Sequence, residues 1–350
     1  MVNYWATNAG AGTKAGTSLG NAAVTDPADA NDIWTIINAS GAPADDTTVK
    51  LCGDAAITAT CTITQDATDT HKIIIQGRNA GDTADAKVTI DAGGGAFPIF
   101  NFTAADFWEI RQVYAYNTSK GAGNNGFTVG ANADYVSFYG CEISDCYRGI
   151  EFSGSSGYGR VLSCHAHDNG SGGFLGALTT LWSNSQAIDN GGDGFYRGVA
   201  VDCLADNNAD GFRQCLGALR VVAYGNSGDG IEAAADSNCI IVDSIVEANG
   251  AFGANVSADA TAYLLRVASK SNTSGRISGD NYIDVDGIEY TVTAFLNAAA
   301  GDFSLNRLAG GGAMLRGIAR VFPDGLTTGY DSLGIAGSRP GTPNKNGGRQ

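Results

Sequence analysis

SQAIDNGGDGFYRG, residues 185–198, contains two short alternating segments and the corner between them, and each of its parts recurs elsewhere in the chain. A glycine followed by an aromatic or aliphatic residue returns as Gly126-Phe127, Gly149-Ile150, Gly173-Phe174, Gly194-Phe195, Gly211-Phe212 and Gly230-Ile231, at spacings of 23, 24, 21, 17 and 19 residues. The preceding segment returns as CEISDC, CHAHDN, SQAIDN, CLADNN, VVAYGN and SIVEAN, starting at 141, 164, 185, 203, 221 and 244. Its first and third positions are small or apolar (Cys141/Ile143, Cys164/Ala166, Ser185/Ala187, Cys203/Ala205, Val221/Ala223, Ser244/Val246), and a period of two belongs to strands, not helices. Those positions face inward. The sixth position reads Cys146, Asn169, Asn190, Asn208, Asn226, Asn249. Stacked asparagines can hydrogen-bond along an axis and tolerate the left-handed backbone of a sharp corner.

A period near 20 with several short strands per repeat and columns of like residues specifies a solenoid of parallel coils. With its "A-x-x-N…DGF" texture, the segment 120–260 resembles the right-handed parallel β-helix of the pectate-lyase-like superfamily. VKLCG, ITATCTITQ, HKIIIQG, KVTIDA, FPIFNF and FWEIRQVYAYN extend the strand pattern back to residue 45. The expected fold is all-β: a right-handed parallel β-helix solenoid with an N-terminal capping helix and a C-terminal β cap. Residues 1–44 form a leader and capping helix, 45–275 the coils, 276–337 a β-hairpin cap and 338–350 a flexible tail. Asp26-Pro27 reads as N-cap and first helical position, ahead of an apolar face from Ile33, Trp34, Ile36 and Ile37 that ends near Gly41. In NYIDVDGIEYTVTAF, Asp286-Gly287 between alternating segments is a strong hairpin signal. The leader and the C-terminal cap resemble those of phage β-helix proteins.

Fifty glycines against six prolines, with no G-x-y period, fit many tight turns in a 350-residue chain. A formal net charge of −15 disfavours nucleic acid as a partner but does not repel a neutral glycan. No apolar run approaches the roughly 18 residues of a membrane span. The N-terminus has no basic and apolar export signal, so synthesis as a soluble cytosolic product is expected. The eight cysteines lack metal-ligand spacing and read as buried free thiols.

If coils stack in register about 4.8 Å apart, columns of chemistry can be read directly. Asp145, Asp168 and Asp189 form one acidic column, and Asp193, Asp210 and Asp229 a second. Turn chemistry is the leading reading of both, because Asp before Asn or Gly repeats wherever the turn repeats. The sharper readings are a carboxylate pair for glycoside hydrolysis in the first column and a Ca²⁺ site in the second, the ion needing about six to eight oxygens. His165 and Glu142, on adjacent coils, are candidates for general acid/base work or an ordinary surface pair. Tyr196, Arg213 and Glu232 lie in one outward column, either a glycan-binding platform or a plain cross-strand ladder.

The linear signatures of pectate lyases and polygalacturonases are missing. Two functions follow. The first is a virion structural and recognition protein: a spike, fibre or capsid decoration, homotrimeric, at the virion surface with other virion proteins, binding host surface polysaccharide. The second is a polysaccharide lyase or glycoside hydrolase, acting free in the extracellular space or as a depolymerising tailspike. An adhesin or matrix protein exported without a signal is a third reading.

Overall fold

The computed structural model describes residues 2–41, 43–154, 157–233, 238–305 and 308. Within them, three parallel sheets of 13, 11 and 10 strands, here A, B and C, carry the chain around a continuous core. One turn runs through Val199–Val201 in A, Leu204–Asp206 in B and Phe212–Cys215 in C before returning to A at Gly217–Leu219. Each strand pairs with its equivalents one coil earlier and later, so Ala187, Ala205 and Ala223 stack in one row. The chain is a right-handed parallel β-helix.

Both corners flanking sheet B turn on one left-handed residue. At the A-to-B corner these are Asn184, Asp202, Arg220, Asp243 and Arg266, with φ from 48° to 54°. At the B-to-C corner they include Asp145, Asp168, Asp189 and Asn207, with φ from 53° to 56°. The left-handed residue is thus the one before the asparagine column, and the asparagines do a different job. Asn190 Oδ1 accepts from the main-chain N–H and the Nδ2 of Asn169, at 3.2 and 2.9 Å, and the same pair of bonds links Asn190 to Asn208. The ladder continues through Asn226 and Asn249 to Asn272.

The aromatic of the Gly-Phe marker re-enters the core. Phe174, Phe195 and Phe212 stack with centroids 5.0 and 4.9 Å apart, all fully buried. The glycine before it is required by close approach: a Cβ on Gly211 would lie 2.5 Å from the Gly230 carbonyl oxygen. All eight cysteines are buried free thiols.

The ends depart from expectation. The leader is itself a sheet A strand, Val2–Thr7, parallel to Thr47–Cys52. The helix is shorter, Ile33–Asn38, and its N-cap is Asp32, whose side chain accepts from the Thr35 N–H. Asp26 instead accepts from the backbone N–H and hydroxyl of Thr58 at 2.9 Å, tying the preceding turn to the stack. Ile33, Trp34 and Ile37 face the core, where Trp34 meets Phe100 edge to face. Coils continue past residue 275. Tyr282–Val285 lies parallel on Thr261–Leu265, and Ile288–Glu289 parallel on Ala268–Lys270. A hairpin turn on Asp-Gly needs positive φ at both residues, whereas only Asp286 (φ 54°) is left-handed, so the pair makes another one-residue corner. An antiparallel pair does form later, Phe295–Asn297 with Asp302–Leu305. The remainder of the expected cap and the tail from 338 lie outside the described residues.

Candidate active site

Positions two and four of the six-residue marker, which fall in the sheet B strands, point away from the core. Ile188, Leu204, Val222, Ile245 and Ala268 point this way yet are buried, because Tyr290, Ala294, Phe295, Ala298 and Phe303 pack over them as a second apolar cluster. The buried Glu247 anchors this cover, accepting from the Tyr290 hydroxyl at 2.9 Å and the Ala294 N–H at 3.2 Å. Where the cover ends, at the turn Ala298–Gly301, a cleft of about 610 Å³ opens against sheet B. His165, His167, Asp168, Asp189, Asp206, Asn207 and Tyr224 line it, with Ala298–Gly301 opposite.

Two groups of side chains meet here. His167 Nδ1 lies 2.8 Å from Asp168 Oδ2, and its Nε2 lies 3.2 Å from Glu142 Oε1. Burial opposes a charge on His167, but the bonds to Glu142 and Asp168 outweigh it and raise its pKa. Burial would likewise raise Glu142, yet bonds from His167 and from Lys87 Nζ at 2.6 Å hold it below the ordinary carboxylate value. The expected His165–Glu142 pair is therefore corrected: the two are register neighbours, but Glu142 bonds His167 and Lys87. His165 is buried, and burial with the charge of His167 pushes its pKa down to about 3.

The second group is Asp189 and Asp206, on neighbouring coils. Burial first, and the Asp189 charge second, push Asp206 up to about 7, with no hydrogen bond offsetting either. Asp189 accepts from Asn207 Nδ2. Asp206 is absent from the sequence candidates because its column does not repeat: Ser144, His167, Ile188, Asp206, Tyr224 and Glu247 are its equivalents. The available signal was alternation, which aims Asp206 outward beside the inward Ala205.

Of the first acidic column, Asp168 and Asp189 reach the cleft, while Asp145 is held by Lys120 at 3.1 Å outside it. The second column belongs to another face. Arg213 lies 3.4 Å from Asp193 and 3.8 Å from Asp210, while Asp210 accepts from the Asp229 N–H and Asp229 from Phe252 N–H and Asn255 Nδ2. These carboxylates are thus engaged by Arg213 and by neighbouring N–H groups. Tyr196 and Arg213 are neighbours on sheet C, and Arg213 Nε meets Glu232 at 3.1 Å. The guanidiniums of Arg197 and Arg213 sit 5.1 and 5.9 Å from the Tyr196 ring centroid, so cations already occupy the ring proposed for a sugar.

The parallel β-helix defines the class of fold, and the comparisons with known proteins agree on that fold. Residues 101–274 match the family model described as right handed beta helix region. Among solved structures the fold is similar to pectate lyase Pel9A, with a TM-score of 0.68 at 17% identity over 88% of this chain and 90% of that one. It is also similar to an alginate lyase from Paenibacillus sp. str. FPU-7 (TM-score 0.52, 13% identity, 71% and 95% covered). The A-module of the Azotobacter vinelandii mannuronan C-5 epimerase AlgE4 matches at TM-score 0.52 and 14% identity, over 76% and 93%. No curated protein matches the chain in sequence.

Proposed function

We propose that the chain hydrolyses a neutral polysaccharide bound across sheet B, with Asp206 donating a proton to the leaving glycosidic oxygen and Asp189 as the partner carboxylate. The observation that carries this is one cleft holding both carboxyls on adjacent coils, one of them pushed up to about 7. Glycoside hydrolysis uses such a pair, an acid kept protonated near neutral pH beside a second carboxylate. The polysaccharide-directed relatives support a glycan as ligand, although a fold by itself hosts many chemistries. The cleft lining includes three aspartates and neither lysine nor arginine, which suits a neutral glycan better than a uronate.

The test is release of reducing ends from neutral polysaccharides. Asp206→Asn is expected to lower kcat by roughly 10²-fold or more, the usual contribution of a general acid. Because Asp206 must hold its proton, the wild-type rate falls as pH rises through about 7. Unsaturated, ultraviolet-absorbing ends released from a polyuronate, with no cleavage of neutral polysaccharides, would mark a lyase and sink the proposal. The same cleft would serve a depolymerising virion spike, for which light scattering showing a trimer and copies found in purified particles are the expected results.

A further inference from the structure

On the outer face of sheet B, His165 and Gln186 are register neighbours on adjacent coils, in the column that runs from Glu142 to Leu204. Both are nearly sealed from solvent, at 7% and 1% exposure. Yet His165 Nε2 and both polar atoms of the Gln186 amide lack any hydrogen-bond partner. Buried polar atoms are almost always paired, and each left bare destabilises the fold. Three orphans side by side, one of them on a residue that lines the cleft, point to a partner that arrives from the cleft.

We infer that His165 and Gln186 form a subsite that receives an uncharged sugar substituent able both to donate and to accept hydrogen bonds, a hydroxyl pair or an acetamido group. The amide supplies a donor and an acceptor together, and a neutral imidazole nitrogen serves as either according to its tautomer. Burial keeps that imidazole neutral, and the neighbouring His167 is already held by Glu142 and Asp168, so neither ring offers a free charge to a carboxylate. A carboxylate would also face Asp168, Asp189 and Asp206 across the cleft. The cleft, at about 610 Å³, falls within the range of small-molecule sites. The inference rests on the glycan reading of the cleft and assigns to it which part of the sugar is recognised.

Calorimetric titration of the full chain with tetrasaccharides of glucose, mannose and N-acetylglucosamine, and with tetragalacturonate as charged control, tests it. At least one neutral tetrasaccharide is expected to bind, and Gln186→Leu and His165→Leu each to weaken it tenfold or more. A stronger loss for N-acetylglucosamine than for the plain hexoses identifies the acetamido group, and the reverse order the hydroxyl pair. Unchanged affinity in both variants overturns the subsite and leaves the orphan atoms to a structural water. Binding of tetragalacturonate alone, or of no tetrasaccharide, overturns it too. If a leucine variant fails to fold, the side-chain amide resonances of Gln186 in the wild-type protein must shift on adding the neutral sugar. Binding that depends on Gln186 without any cleavage would keep the subsite and remove the hydrolase, whereas cleavage indifferent to Gln186 would do the opposite.

Discussion

Asp206 and His165 line one cleft and respond to pH in opposite senses. Asp206 has a folded value of about 7 against an ordinary carboxylate near 4, so the folded state keeps a proton that the unfolded chain has lost. Stability from this group therefore falls as pH rises between about 4 and 7. In urea melts, Asp206→Asn should stabilise the protein by roughly 1–4 kcal/mol at pH 8 and leave it unchanged at pH 4. His165, held down at about 3, costs stability as pH falls from about 6.5 toward 3, because only the unfolded chain takes up the proton. His167 is raised, so its contribution is full below the ordinary histidine value and is lost as pH rises through its folded one. Proton NMR should show His165 ring resonances fixed above pH 4 and His167 titrating above about 6.5; both moving together near 6.5 would refute this assignment. Asp168 and Asp189 were legible in the sequence because they recur with the corner. Asp206 was not, since its environment depends on a cover that follows it by some 90 residues.

At the scale of the strand and its corner, the asparagine column is the most cooperative element. Asn208 Oδ1 accepts twice from Asn190, and its Nδ2 donates to the Ala187 and Asp206 carbonyls and to Asn226. Asn208→Ala would orphan several of these buried groups at once, and a loss of roughly 2–5 kcal/mol is expected in urea melts, with no change in the slope of the transition. Period-two alternation made the coils readable from Cys141 to Asn249 because core and surface alternate there without interruption. The same rule failed at Asp286-Gly287, where a hairpin and a coil corner use the same two residues and only stacking on Thr261–Leu265 decides between them. It also concealed the cover: the outward Ile188, Leu204, Val222 and Ile245 were the clue that sheet B is buried on both faces.

Across the whole molecule, coil-to-coil hydrogen bonds run along the solenoid axis, and the left-handed corners flanking sheet B hold its strands in phase. The A-to-B corner shows how far this phase is used: Arg220 reaches back to Asp202 with two bonds of 2.7 Å, and Arg266 to Asp243 in the same way, so opposite charges alternate up one edge. The spacing from Asn190 to Asn208 and from Asn208 to Asn226 is 18 residues in each case. A chain built like this can be edited as text is, by whole lines. Excising 208–225 joins Asn207 to Asn226 and sets Ile245 where Val222 had been, beside Leu204, leaving corner, ladder and outer apolar column intact. Excising 209–225, one residue fewer, leaves Asn208 and Asn226 adjacent at one corner and lengthens the link to sheet C by one residue, which the ladder must absorb. The first variant should melt cooperatively with a lowered Tm, and the second at a Tm lower still, as read by circular dichroism. The one-residue corner thus gives the gene a reading frame of its own, counted in coils, within which the molecule can lengthen or shorten while the chemistry on its surface stays in line.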